Sequence, residues 1–264
     1  MRPSISTALT LLALPLVTAC DGGLGLNLFT IEDDIELGAS LRDEINANPD
    51  AYGQVVDPTD APEAYGHLQR ITDEILASGM VEYESDFPWE LYIIDDDEVL
   101  NAFCAPGGYI YVYTGLIHYL DSEDHFAGVM GHEIAHADRR HSTQQLTKAY
   151  GLSVLAGILF GSDPSVIAQV AQGLLALSFS RADEAEADDY SVVYLCETDY
   201  AADGAAGFFA KLLEEGVASG PEFLSTHPSP DNRVENIEAA AAELDCSTEP
   251  HPDADWEGFQ SSLP

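Results

Sequence analysis

The tightest constraint on this chain is one hexapeptide, Gly131-His132-Glu133-Ile134-Ala135-His136. In a helix, residues four apart lie one turn apart on the same face. His132 and His136 therefore present two imidazoles to one point, which suits a metal ion. Glu133, beside the first imidazole, reaches a water on that metal. Zinc fits this chemistry because it accepts imidazole and carboxylate ligands and leaves a fourth position for water. Phe126, Val129 and Met130 give the same segment an apolar face, so a buried helix is predicted over 122–141. Such spacing also arises on solvated helices, so the reading requires a third ligand.

A longer zinc-binding pattern, H-E-x-x-H-x-x-G-x-x-H, does not continue here, because Arg139 and Ser142 stand at the Gly and final His positions. His141 falls one residue short. Five residues beyond His136 on a continuous helix it points away from the ligand face, and it reads as structural. The remaining source is a carboxylate from a later helix. Ser180-Arg181-Ala182-Asp183-Glu184-Ala185-Glu186-Ala187-Asp188 offers Glu184 and Asp188 at i, i+4. Glu184 would bind the metal, and Asp188 would accept a hydrogen bond from the non-ligating nitrogen of a metal histidine. The alternative for this segment is a solvated acidic helix.

At this point the chain resembles a known family. Four segments carry the likeness: Asn101-Ala102-Phe103 followed by Pro106-Gly107-Gly108-Tyr109-Ile110-Tyr111-Val112; His132-Glu133-x-x-His136; Ser180-Arg181-x-x-Glu184-x-x-Ala187-Asp188; and His227-Pro228-x-x-x-x-Arg233. In this order they resemble the HtpX/BepA/LoiP-type zinc metallopeptidases, relatives of the CAAX prenyl endopeptidases, over about residues 60–245. The resemblance implies a mostly helical α+β fold, a zincin-like peptidase with a small β-sheet beside the H-E-x-x-H helix. It implies one zinc ion per chain, with Glu184 completing the site, and endopeptidase action on misfolded or misassembled envelope proteins. Substrate would bind as an extended polypeptide along a sheet edge lined by Asn101 and Ala102; alternatively Asn101 merely closes a strand end. His227 would stabilise the oxyanion or cap the zinc as a removable fourth ligand, or it would simply hold its loop down. Cys104 departs from the family pattern, where Ala is more usual.

Residues 1–19 read as an export signal: a short positive start, an apolar run of about a dozen residues and small residues before the cut. Cys20, directly after Val17-Thr18-Ala19, resembles a lipoprotein acceptor. The mature chain would then be tethered by lipid at the periplasmic side of a bacterial envelope, to the inner or the outer membrane. The alternative is an ordinary signal with an incidental cysteine. Residues 20–59 form the mature N-terminal tether and a helix over 30–47, 60–246 the peptidase domain, and 247–264 an acidic tail. A net charge of −38, with nine Lys plus Arg, argues against nucleic acid and against an electrostatically held anionic surface. Salt tolerance and plain solubility both explain it. Of the cysteines left after Cys20, Cys104 lies in an apolar strand, so Cys196 and Cys246 are the expected disulfide pair.

Around the core motif, a helix capped by Asp60 is expected to 78, with Tyr65, Leu68, Ile71 and Ile75 on its inner face. Strands over 90–94 and 99–104 would flank the acidic turn 95–98, with a third strand at 109–113. The apolar stretches 149–161 and 165–179 are below spanning length and suggest a helical hairpin over the site. Helices follow over 201–216 and 231–244, separated by a loop carrying His227. The tail reads as mobile unless Trp256 and Phe259 dock. Two other jobs fit the same residues: an assembly factor that binds envelope proteins with only occasional cleavage, and a zinc aminopeptidase with an acidic anchor for the substrate's amino end.

Overall fold

The structure, a computed structural model, describes residues 27–149, 157, 164–175, 178–216, 222–227 and 232–264. Cys20 and most of the first apolar stretch lie outside these residues. Helices dominate, and one four-stranded sheet accompanies them.

The N-terminal helix α1 (Ile31–Ala47) begins at a capping box, in which the Thr30 side chain and the Asp33 backbone and carboxylate satisfy each other's free groups. A short turn, α2 (Pro49–Tyr52), leads into strand β1 (Gln54–Val55), where the sequence suggests a plain loop. Helix α3 (Pro62–Leu76) buries Leu68, Ile71 and Ile75. It starts at Pro62 with no side-chain cap, so Asp60 is not the cap: proline at the first helical position already supplies the required φ.

Strands β2 (Glu90–Asp95), β3 (Ala102–Ala105) and β4 (Tyr109–Tyr113) complete the sheet in the order β1-β2-β4-β3. The two strands flanking the acidic turn are therefore not neighbours. β4 lies between them, parallel to β2 and antiparallel to β3. All five residues of β4 are buried, and a strand covered on both faces belongs in the middle of a sheet. Gly107 makes the tight β3–β4 connection with φ of 78°, and a Cβ there would come 2.8 Å from the Ile35 backbone of α1. Among the described residues β3 pairs with β4 alone and so forms an edge of the sheet, lying against the central helix, and its Cys104 carbonyl accepts from Ser142 Oγ at 3.3 Å.

That helix, α5 (Glu123–Asp138), follows the short α4 (Thr114–Tyr119) and is capped by Ser122, whose Oγ accepts from the His125 N–H. It is buried along its whole length. It does not continue to residue 141. Arg140 takes a left-handed conformation, φ 59°, and α6 (His141–Ala149) starts in a new direction. Arg140 is held there by Asp34 Oδ2 at 2.6 Å and the carbonyls of Phe29 and Thr30 at 2.7 and 2.9 Å.

Helix α7 (Pro164–Leu175) comes from the second apolar stretch and packs against α1. The segment after it brings Phe179 to the central helix. Helix α8 (Arg181–Leu195) opens with a second capping box, Ser180 with Asp183, and lies along α5. Ser191 on α8 donates to the Gly128 carbonyl at 2.9 Å. On its other side α5 meets α9 (Gly204–Glu214) so closely that a Cβ on Gly128 would stand 2.0 Å from the Ala205 nitrogen. α10 (Glu222–Thr226) interrupts the predicted loop, and α11 (Arg233–Glu243) follows.

The C-terminal segment is docked. α12 (Trp256–Ser261) buries Trp256 and Phe259 against α5 and α3. The Trp256 indole donates to the Leu120 carbonyl at 3.0 Å, and the Asp255 N–H donates to the buried Glu123 carboxylate at 3.0 Å. Two aromatic side chains outweigh the acidic composition that suggests mobility. The Cys196–Cys246 disulfide is formed, and Cys104 is free and buried.

Candidate metal centre

Each side chain of the centre is delivered by a different constraint. The turn-by-turn spacing of α5 places His132 and His136 side by side, their Nε2 atoms 3.0 Å apart. The capping box at Ser180 sets where α8 begins, so Glu184, one turn in, meets them. Its carboxylate lies 3.5 Å from His132 Nε2 and 3.4 Å from His136 Nε2. α10 adds His227, whose Nδ1 is 3.1 Å from Glu184 Oε1 and 3.3 Å from His132 Nε2. Phe223 stacks on the His227 ring at 4.3 Å and Phe179 on the His136 ring at 4.1 Å. All four polar side chains are buried.

The outer nitrogens of both motif histidines are already engaged. His132 Nδ1 sits 2.9 Å from Asp188 Oδ1, and His136 Nδ1 sits 2.9 Å from His141 Nδ1. With protons on both Nδ1 atoms, two bare Nε2 lone pairs and a carboxylate face one another. That is a repulsive arrangement unless a cation lies between them. Ligand atoms of a tetrahedral zinc site, with bonds near 2.0–2.1 Å, are about 3.3 Å apart, matching the separations of 3.0–3.5 Å here. The charges lean the same way: the buried Glu184 and Asp188 carboxylates share the Arg233 guanidinium, and a cation among the imidazoles would add to that partner.

The acidities follow from the same geometry. Burial alone would lower the His132 imidazole, but hydrogen bonds to Asp188 and Glu184 outweigh it and raise it to about 9. Burial and the neighbouring His132 hold His136 well below its ordinary value. Glu184 stays ionised far into acid despite burial, because the His227 charge and hydrogen bonds from His132, His136 and His227 favour the anion. Glu133 goes the other way: it is buried, desolvation raises it, and its Oε1 has no hydrogen-bond partner among the described residues. His227 Nε2 lies 3.6 Å from that oxygen.

His132, Glu133, His136, Glu184, Asp188 and His227 are thus brought together as the sequence suggests. Asn101 lies just before β3 and Ala102 begins it, both buried. The Asn101 carbonyl accepts from the Tyr113 N–H at 3.1 Å, and its Oδ1 has no partner among the described residues. The Phe223 N–H donates to the Leu100 carbonyl at 3.2 Å, tying the His227 segment to the entry of that strand. His141 corrects the expectation that it points away, since the break at Arg140 swings it back onto His136. Arg233 has a role that helical spacing alone does not disclose. It grips Asp188 at 2.6 and 2.7 Å and reaches Glu184 Oε2 at 3.1 Å. The available signal was its fixed place six residues after His227.

A paired-histidine helix beside a small mixed sheet, with a buried carboxylate from a following helix, defines a zincin-like peptidase fold. The chain belongs to peptidase family M48, whose profile matches residues 62–241. It is 34% identical to the mitochondrial metalloendopeptidase OMA1 of Arabidopsis thaliana over 55% of this chain and 30% of that protein. It is 31% identical to the protein of the same name from Schizosaccharomyces pombe over 71% of this chain and 56% of that one. Against the beta-barrel assembly-enhancing protease of Escherichia coli it is 30% identical over 60% of this chain and 35% of the relative. The chain thus matches only 30% to 56% of these relatives' length. Family membership implies a bound metal.

Proposed function

We propose that the chain is a zinc-dependent endopeptidase in which His132, His136 and Glu184 hold the ion and Glu133 is the catalytic base. The observation that carries this is the convergence of two imidazole Nε2 atoms and a carboxylate at tetrahedral-edge distances. When bound there, zinc supplies Lewis acidity, lowering the pKa of water towards about 7 and polarising the scissile carbonyl. The chain's own groups do the rest. Glu133, with a raised pKa and an oxygen unpartnered among the described residues, takes the proton of the attacking water and passes it to the leaving amine. Asp188, clamped by Arg233, keeps His132 in the tautomer that leaves Nε2 free. His227, within 3.6 Å of Glu133, is placed to donate to the oxyanion. An extended polypeptide would pair with the edge strand β3 near Asn101 and Ala102.

The substrates we infer are misfolded or misassembled envelope proteins, with the enzyme tethered through lipid on Cys20. The support is the signal-like sequence before Cys20 and the name of the beta-barrel assembly-enhancing relatives. No helix among the described residues is long and apolar enough to cross a membrane.

The test is metal content and cleavage of a loosely folded protein. Wild type should carry one zinc, and His136→Ala should lose it. Glu133→Gln should keep zinc while cleavage falls by about 10²-fold or more. Full envelope function in the Glu133→Gln variant would favour a binding role over hydrolysis. Undiminished cleavage would refute the assignment of Glu133.

A further inference from the structure

We propose that His141 is a positioning residue for the metal: it accepts the Nδ1 proton of His136 and so aims that ring's Nε2 lone pair at the ion. The inference rests on His136 being a ligand, as proposed above. His141 is 1% exposed, and its Nδ1 lies 2.9 Å from His136 Nδ1. A neutral imidazole has one donor and one acceptor nitrogen. Since His136 must free Nε2 for the metal, its proton is on Nδ1 and points at His141. His141 Nδ1 must then be bare, because two N–H groups at that distance would repel. Its own proton is on Nε2, which faces Glu186 Oε2 at 3.6 Å. Glu186 is fixed in turn by Arg139, whose Nε donates to Oε1 at 3.0 Å.

This arrangement is built by the backbone. On an unbroken helix a residue five positions on would face elsewhere. The left-handed Arg140 turns the chain so that His141, the first residue of α6, folds back over the end of α5. Phe179, stacked on the His136 ring at 4.1 Å, keeps that ring from tilting. The two metal histidines are thus supported unequally. His132 leans on a carboxylate matched by a guanidinium, whereas His136 leans on a neutral ring backed by a half-buried carboxylate.

Zinc dissociation constants of the full chain, measured by competition with a chromogenic chelator, decide the matter. His141→Phe keeps the ring volume but removes the acceptor, and zinc should bind about 10- to 100-fold more weakly. His141→Asn places Oδ1 where Nδ1 was and should restore affinity to within about threefold of wild type, since only the acceptor is required. Wild-type affinity in the Phe variant, or equal weakness in both variants, overturns the proposal. The ligand assignment has its own control: if His136→Ala binds zinc like wild type, that reading fails instead. Thermal melting of the metal-free proteins shows whether the Phe variant folds. If it does not, imidazole ¹⁵N shifts of the zinc-loaded wild type carry the test. Protons on His136 Nδ1 and His141 Nε2 support the proposal, and a proton on His141 Nδ1 overturns it.

Discussion

Replacing Arg233 with Met should destabilise the metal-free protein more than any surface charge change. The guanidinium is 3% exposed and grips Asp188 at 2.6 and 2.7 Å. It also reaches Glu184 at 3.1 Å and lies 3.8 Å over the Phe209 ring. Met retains the apolar stem, so the loss is mostly electrostatic. It leaves two buried carboxylates without their guanidinium, and breaking a buried pair from one side costs about 3–5 kcal/mol. That is a large part of the roughly 5–15 kcal/mol by which domains are stable. With a urea m-value of about 2–3 kcal/mol/M, the unfolding midpoint should fall by about 1–2 M. Adding Asp188→Asn removes one stranded charge, so the double variant should lose less than the sum of the singles, by at least about 1 kcal/mol. A cost below about 1 kcal/mol, the scale of an exposed pair, or strict additivity would refute this account of the buried network.

Four further outcomes follow from the same geometry. His132, raised from 6.5 to about 9, carries a proton at neutral pH in the metal-free site, and metal must displace it. Zinc affinity should therefore fall about tenfold per unit as pH drops from 8 to 6, and calorimetry in buffers of different ionisation enthalpy should register about one released proton; a pH-independent affinity would contradict the proton's place. The same shift stabilises the metal-free fold below pH 6.5, and that contribution is lost as pH rises through about 9. Cys196 and Cys246 close a loop of 50 residues, so their double Ser variant should lose up to roughly 4 kcal/mol in denaturant unfolding. Gly128→Ala would push a methyl to 2.0 Å from the Ala205 nitrogen; a melting temperature reflecting a loss of about 1–3 kcal/mol or more is expected, and an unchanged one would mean that α5 and α9 separate freely.

Much of the centre is legible in the amino-acid sequence because it is local. The i, i+4 spacing of His132 and His136, and of Glu184 and Asp188, puts side chains on one face in any helix. Helix periodicity and the resemblance together therefore single out six residues that the fold brings into one buried cluster. What they leave open depends on long-range contacts. The position of β4 between β2 and β3 is set by burial on both faces, which the order of strands along the chain does not encode. The docking of 247–264 depends on Asp255, Trp256 and Phe259 finding Glu123, Leu120 and Phe126, more than a hundred residues earlier. The break at Arg140 comes from Asp34, Phe29 and Thr30 gripping its side chain, so a helical wheel puts His141 on the wrong face. Arg233 likewise becomes a site residue only once α11 packs beside α8. Periodicity speaks for neighbours along the chain, whereas the direction of a kink, the neighbour of a strand and the partner of a buried charge are decided where distant segments meet.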